Sequence, residues 1–222
     1  MTRLQKMMFL IVIVLLVGVL SFDASLYFAQ NVSPNRLKVN YYPLQDSKIP
    51  ESLDDVTIVY FTDLQYGTFQ NDTRTKRLFD QIRELNPDVL VFGGDLYDSA
   101  TEPNEKSNKK LTEYFRSIQA PMGKYAVYGE KDWSSPTRKK AVKQIYHDSQ
   151  IELLHNKNIR ITDKDSKGIR LIGLTSTKGI SKALDNVSGK TYNLLVTHKP
   201  DNFMAEALAQ HSVSYGMAGH SH

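Results

Sequence analysis

Five short polar clusters in this sequence contain the residue types that bind metal ions or move protons. Each cluster follows an apolar stretch of the kind that forms a buried β-strand. In chain order they are Asp63-Leu64-Gln65, Gly94-Asp95-Leu96-Tyr97-Asp98, Gly129-Glu130-Lys131-Asp132, Thr197-His198 and Gly219-His220-Ser221-His222. Open α/β sheets place their ligand sites at the carboxyl ends of strands, so the pattern predicts one shared site there.

The donor atoms of these clusters indicate which metals they could bind. Asp, Glu and His supply oxygen and nitrogen ligands, and the absence of cysteine excludes thiolate ligands. This donor set suits Mn, Fe, Mg or Zn. Simpler roles exist for single residues: an Asp after a strand can cap a loop or helix or make a turn hydrogen bond, and two nearby histidines can be surface residues.

The elements that position these clusters alternate between strands and helices. The apolar periodicity predicts strands at 57–61, 89–92, 125–128, 151–154, 159–162, 169–174, 193–196 and 213–217. Helices are predicted over 73–85, 109–118, 137–146, 181–187 and 204–210, and a hairpin turn over 165–168. The sequence therefore predicts an α/β fold of two layered β-sheets flanked by helices.

The N-terminal segment is long and apolar enough to cross a membrane. Residues 7–28 carry one charge, Asp23, and Arg3 and Lys6 precede them. We predict a single-pass cell-membrane anchor with a cytoplasmic N-terminus and an extracellular domain. A cleaved signal peptide and a buried core helix are the alternatives; residues 23–29 show no clear small-x-small cleavage site. The predicted organisation is an anchor at 1–30, a linker with a short strand at 38–42 within 31–55, and a globular domain at 56–222.

Composition excludes several classes of protein. The chain has 222 residues, of which 41% are hydrophobic and 23% charged, which is typical of a packed domain. The 28 Lys and Arg residues against 24 Asp and Glu give a net charge of +4. Because these basic residues are dispersed, no nucleic-acid partner is expected.

Taken together and in order, the five clusters resemble the motifs of the calcineurin-like metallophosphoesterase superfamily over residues 56–222. The sequences KIPESL at 48–53 and APMGKYAVYG at 120–129, with the N-terminal anchor, resemble its membrane-tethered bacterial branch. That branch is similar to UDP-2,3-diacylglucosamine pyrophosphatase-like enzymes. The resemblance implies an αββα sandwich that hydrolyses a phosphodiester or pyrophosphate, and the membrane anchor suggests a lipid-linked or envelope substrate.

The resemblance also implies a ligand set for two divalent ions, with Mn favoured and Fe, Mg or Zn as alternatives. The first ion would be held by Asp63, Gln65, Asp95 and His222, and the second by Asp95, Glu130, His198 and His220. A hydroxide between the ions would attack phosphorus. Asp98 would orient a ligand or hold the loop after Asp95, and Lys131 would take the position of the family's catalytic histidine.

Three features depart from the family pattern. Gln65 and Glu130-Lys131 replace the usual His and Asn-His, and an ammonium group is a poor proton donor near neutral pH. The sequence also stops at His222, where similar proteins continue, so we expect a C-terminally truncated domain. A second hypothesis is therefore a catalytically degenerate protein that binds phosphate-containing envelope components or a protein partner.

Overall fold

The computed structural model describes residues 2–29, 37–162, 167–209 and 213–221. The chain divides into two units, residues 1–43 and 44–222. The first unit contains helix α1, Arg3–Tyr27, which begins with a reciprocal cap between Thr2 and Gln5. Its 25 residues make it about 37 Å long, which exceeds the hydrocarbon thickness of a bilayer. The helix is thus a candidate membrane span by length and composition, and a signal sequence would have the same character.

The second unit contains two four-stranded sheets and the remaining helices. The first sheet has the order β1 Ile58–Phe61, β2 Val89–Phe92, β3 Lys124–Ala126 and β4 Ile151–Leu153, all parallel. The second has the order β5 Lys157–Thr162, β6 Gly168–Leu174, β7 Asn193–Thr197 and β8 Tyr215–Ala218, in which only the β5–β6 pair is antiparallel. The helices are α2 Asp72–Glu84, α3 Glu105–Arg116, α4 Pro136–Asp148, α5 Ile180–Ala183 and α6 Glu206–Ala209.

Apolar side chains join these elements into four layers. Strand β2 is buried on both faces, as a central parallel strand requires. Val89 and Val91 point into the core between the sheets, whereas Leu90 and Phe92 point into the core under α2, α3 and α4. A third apolar cluster joins the second sheet to α5 and α6. The predicted α/β sandwich is confirmed.

Local sequence signals explain the helix boundaries. The side chains of Asn71, Asn104 and Ser135 cap the amino ends of α2, α3 and α4. Each accepts a hydrogen bond from a backbone N–H of the first turn, which would otherwise lack a partner. Pro136 occupies the first turn of α4, where its missing N–H costs nothing.

One predicted element is wrong. Residues 38–42 form no strand in the described structure, although their composition favours one, and Tyr41 and Tyr42 are exposed. An isolated extended segment gains no ladder hydrogen bonds, so β-propensity alone does not make it a strand. The antiparallel β5–β6 pair agrees with the predicted hairpin. Of the turn predicted at 165–168, residues 165 and 166 lie outside the described residues, and Gly168 is the first residue of β6.

Candidate metal centre

Three predicted ligands, Asp63, Asp95 and His198, meet at the carboxyl ends of β1, β2 and β7. One donor atom from each lies within 4.8 Å of the other two. His198 Nε2 is 3.5 Å from Asp95 Oδ2 and 3.8 Å from Asp63 Oδ1. The two sheets therefore combine their strand ends into a single compact cluster of oxygen and nitrogen donors.

Four residues at or near this cluster have backbone conformations that non-glycine residues rarely adopt. Asp63, Gln65, Asp95 and His220 have positive φ angles of 54°, 46°, 59° and 71°. Such non-glycine residues are uncommon and concentrate at functional sites, where the surrounding structure holds them in place. Gly129 permits a close approach, because a Cβ there would collide with Asp95 Oδ1.

Hydrogen bonds orient the His198 ring towards the cluster. Its Nδ1 lies 2.9 Å from the carbonyl oxygen of Gly93, which can only accept, so Nδ1 carries the proton. The other ring nitrogen, Nε2, is buried and has no hydrogen-bond partner in the described part of the chain. A metal-binding histidine commonly has this arrangement, in which a backbone carbonyl fixes the tautomer.

Asp63 is held from two directions. Its Oδ2 accepts hydrogen bonds of 2.9 Å from the Thr62 hydroxyl and from the backbone N–H of His220. These contacts leave Oδ1 as the carboxylate oxygen that faces His198. The last polar cluster of the sequence thus helps to orient the ligand contributed by the first.

Contacts between charged groups in the centre shift the pKa values of Asp95 and His198. Burial would raise the pKa of Asp95, but its contacts with His198 and Lys131 outweigh burial and lower the pKa to about 2. Burial would lower the pKa of His198, but Asp95, the Gly93 carbonyl and Asp63 outweigh it and raise that pKa. Asp95 is therefore ionised at neutral pH, and the field that stabilises a charged His198 would also attract a metal cation.

Lys131 contacts the centre through both its backbone and its side chain. Its N–H donates to Asp95 Oδ1 at 2.9 Å, and its Nζ lies 3.0 Å from Asp95 Oδ2. The side chain is 28% exposed, compared with 2% for Asp95, so the ammonium group lies at the mouth of the centre. This position brings positive charge to the place that the family resemblance assigns to a catalytic histidine.

Glu130 and His220 contact each other beside this cluster. His220 Nδ1 lies 3.0 Å from Glu130 Oε2, and Lys199 forms an ion pair with Oε1 of the same carboxylate. The His220 ring also packs edge-on against His198, with 5.4 Å between the centroids. Both predicted ligands are thus close to the centre, but Glu130 is engaged by two cationic or polar partners.

The remaining predicted site residues have other placements. Asp98 accepts hydrogen bonds from the backbone N–H groups of Thr68, Ala100 and Thr101, so its side chain organises the loops beyond β2. Gln65 donates its backbone N–H to the Asp95 carbonyl oxygen at 3.0 Å. His222 lies outside the described residues.

Asp132 has a structural role that sequence reasoning missed. Its carboxylate is buried and accepts backbone N–H groups from Asp95, Leu96 and Gly129 at 2.8–2.9 Å. Burial raises the pKa of Asp132 to about 6, and the three N–H donors oppose that shift. The clue in the sequence was an acidic residue three positions after Gly129, within a cluster whose other members were assigned roles.

The residues present fit a divalent cation. Two carboxylates and one imidazole are oxygen and nitrogen donors at mutual distances that a single ion can bridge. His198 Nε2 is buried without a hydrogen-bond partner in the described residues, a cost that a bound cation would offset. Asp63, Asp95 and His198 would hold the ion.

Comparison with known proteins agrees with this geometry. A Bacillus subtilis protein, the uncharacterized metallophosphoesterase YkuE, is 23% identical over 214 residues, which cover 92% of this chain and 71% of that protein. A zebrafish (Danio rerio) transmembrane protein with a metallophosphoesterase domain is 25% identical over 189 residues, covering 79% of this chain and 42% of that protein. The Chlamydia muridarum UDP-2,3-diacylglucosamine pyrophosphatase LpxG is 22% identical over 245 residues, covering 88% and 72%.

The chain therefore spans less than half of the zebrafish relative and about seven-tenths of the two bacterial ones. The family assignment depends on the match to the calcineurin-like phosphoesterase family, which extends over residues 56–222. This range contains every strand of both sheets and all the residues of the centre described above. The chain belongs to the calcineurin-like phosphoesterase family.

Proposed function

We propose that this protein is a membrane-tethered, metal-dependent hydrolase of a phosphodiester or pyrophosphate bond. The observation that carries the proposal is the meeting of Asp63, Asp95 and His198 from three strands and two sheets. A structural role alone does not require two acids and a buried imidazole nitrogen within one compact cluster. The family assignment supports hydrolysis of a phosphoester as the reaction class.

Different residues of this chain would bind the cation, contact the phosphoryl group and position the loops. Asp63, Asp95 and His198 would hold the cation, which when bound lowers the pKa of water and neutralises charge on the phosphoryl group. Lys131 would place its ammonium group beside phosphoryl oxygens at the mouth of the centre. Asp98 would act at a distance, by holding the loops beyond β2 through backbone amides.

The substrate class follows from the membrane helix and one relative. A helix such as α1 would confine the domain to the membrane surface, where lipid-linked phosphoesters are concentrated. The chlamydial relative is named as a pyrophosphatase of UDP-2,3-diacylglucosamine, which carries acyl chains. We therefore propose a lipid-linked or envelope phosphoester as the substrate.

We predict that the reaction rate depends strongly on the leaving group. Lys131 supplies positive charge without readily donating a proton, so an activated phenolate should leave well and an alkoxide poorly. Lys131→Ala should lower the rate for aryl esters by about 10- to 1,000-fold, similar to the loss of one preorganised electrostatic donor. The measurement is the rate of full-length protein in Mn²⁺ buffer with a series of aryl and alkyl phosphodiesters.

Two results would contradict this role of Lys131. One is a wild-type rate that does not change with leaving-group pKa, and the other is full activity in Lys131→Ala. Lys190→Ala, which changes an exposed lysine, is the matched control. Lys131→His tests proton donation directly, because an imidazole at this position should recover part of the activity towards alkyl esters.

We also predict that α1 anchors the protein with the domain outside the cytoplasm. Arg3 and Lys6 precede the apolar segment, and basic residues favour the cytoplasmic side. Deletion of residues 2–29 should release the protein from the membrane fraction, and protease added to intact cells should digest the full-length domain. A soluble full-length protein would refute the anchor, and protection of the domain while an external marker is digested would refute its orientation.

A second candidate function is binding without catalysis. The observation that favours it is the ammonium group of Lys131 on Asp95, together with the replacement of a family histidine by Gln65. Such a protein would bind phosphate-containing envelope components or a protein partner. Absence of hydrolysis for every ester in the series, with metal binding retained, would favour this candidate.

A further inference from the structure

Two lysines contact the carboxylates that the family resemblance assigns to the second metal ion. Lys131 engages both oxygens of Asp95, one through its N–H at 2.9 Å and the other through its Nζ at 3.0 Å. Lys199 forms an ion pair with Glu130 Oε1, and His220 Nδ1 lies 3.0 Å from Glu130 Oε2. All four carboxylate oxygens of Asp95 and Glu130 thus have a positively charged or hydrogen-bonding partner from this chain.

The charges of these lysines match the charge of the ion they would replace. Two ammonium groups carry a formal charge of +2, which equals that of one divalent cation. A cation bound by Asp95 and Glu130 would lie beside both ammonium groups, and like charges at this distance repel strongly where water is partly excluded.

The polypeptide also restrains one of these lysines near the centre. The backbone N–H of Lys131 donates to Asp95, and residues 131–133 form a helical turn immediately after Glu130. Asp132 fastens this turn to the loop after β2 through the backbone N–H groups of Asp95 and Leu96. The root of the Lys131 side chain is therefore fixed beside Asp95.

The cluster of Asp63, Asp95 and His198 is different. One donor atom from each of its three residues lies within 4.8 Å of the other two, and His198 Nε2 has no hydrogen-bond partner in the described residues. Lys131 contacts this cluster at Asp95, through its N–H at Oδ1 and its Nζ at Oδ2. The cluster can accept one cation that shares Asp95 with the ammonium group.

We propose that the centre holds one divalent cation, in place of the two that the family resemblance implies, and that Lys131 and Lys199 replace the charge of the second. The inference rests on the proposed metal-dependent function. It goes beyond the reaction class, because it states how many ions bind and which lysines supply the charge of the second ion.

The test is the Mn²⁺ stoichiometry of the full-length protein in detergent. Elemental analysis after equilibrium dialysis, with Mn²⁺ as the only added metal, should find one ion per chain in the wild type. The EPR spectrum of that sample should show an isolated Mn²⁺ ion without exchange coupling. Two ions per chain, or an exchange-coupled pair, would overturn the proposal while leaving metal-dependent hydrolysis intact.

A double variant tests the role of the lysines. Lys131→Met with Lys199→Met removes both ammonium groups but keeps similar apolar stems. Binding of a second Mn²⁺ should tighten by about 10- to 1,000-fold, the range by which a nearby like charge shifts an ionic equilibrium. Lys182→Met with Lys190→Met, which changes two exposed lysines, should keep the wild-type stoichiometry.

The outcomes separate this inference from the proposed function. One ion in both the wild type and the double variant would overturn the assignment of the second charge to these lysines. No bound Mn²⁺ in the wild type would overturn the inference and the metal-dependent function together. One ion in the wild type without hydrolysis of any ester would support the inference and count against the proposed reaction alone.

Discussion

Asp95→Asn is expected to lower the rate of phosphodiester hydrolysis by more than about 10³-fold and to remove most of the bound Mn²⁺. Asp95 is the most buried carboxylate of the cluster, at 2% exposure, and its Oδ2 lies 3.5 Å from His198 Nε2. Asparagine removes the negative charge and introduces an NH₂ donor among groups that present positive charge or N–H donors. Both changes weaken cation binding, and the side-chain volume stays the same.

Asp63→Asn provides the comparison. The asparagine side chain keeps one oxygen as an acceptor for the Thr62 hydroxyl and the His220 N–H. Loss of the negative charge should therefore weaken metal binding without displacing the loop. We expect a smaller loss of Mn²⁺ and of activity than for Asp95→Asn. Metal content and initial rates of the two variants decide the order, with the exposed Asp185→Asn as the control. Equal and small losses would mean that Asp95 is not the central ligand.

Asp132→Ala is expected to destabilise the domain by about 3–5 kcal/mol, because three buried backbone N–H groups would lose their acceptor. These groups belong to Asp95, Leu96 and Gly129, and Asp132 is 1% exposed, so water cannot readily replace the carboxylate. The same substitution should lower activity, because it releases the loop that carries Asp95. The effect on stability would then accompany the effect on the centre.

The single tryptophan gives a convenient measurement of this effect. Trp133 directly follows Asp132 and stacks on Tyr128, so its fluorescence should report unfolding of this region. Urea denaturation of the full-length protein in detergent gives the change in midpoint and slope. Asp185→Ala should stay within about 0.5 kcal/mol of the wild type, as exposed substitutions usually do.

Asp132→Asn distinguishes the number of acceptors from the shape of the side chain. Asparagine has one carbonyl oxygen, which can still serve the Asp95 and Gly129 N–H groups, but its NH₂ would face the Leu96 N–H. We expect the free energy of unfolding of Asp132→Asn to lie between those of the wild type and Asp132→Ala. Wild-type stability in both variants would show that these three hydrogen bonds do not hold the loop.

Much of the fold was predictable because strands and helices leave local periodic signals. The fully apolar β2, for example, is typical of a central parallel strand, and its alternate residues face two different cores. The strand predicted at 38–42 was wrong because β-propensity says nothing about whether a pairing partner is in reach. Strand order within the two sheets likewise depends on contacts between residues distant in sequence.

The sequence predicted which residues form the candidate site better than it predicted the contacts between them. Spacing alone indicated that Asp63, Asp95 and His198 each follow a strand, and parallel strands bring such positions to one edge. The positive φ angles of Asp63 and Asp95 have no comparable sequence signal, because non-glycine residues adopt them only when the surrounding structure requires it. Asp132 was missed for a related reason, since its backbone partners are identified only by the folded loops.

The sequence by itself determined the residue types at each strand end, the apolar N-terminal helix and the layered α/β class, because composition and periodicity specify local structure and burial. Only the tertiary structure decided which side chains meet. Lys199 reaches Glu130, and His198 reaches Asp95, across the junction between two sheets. Residue spacing does not encode such contacts, because they depend on how the sheets pack and how each side chain is oriented at their shared edge.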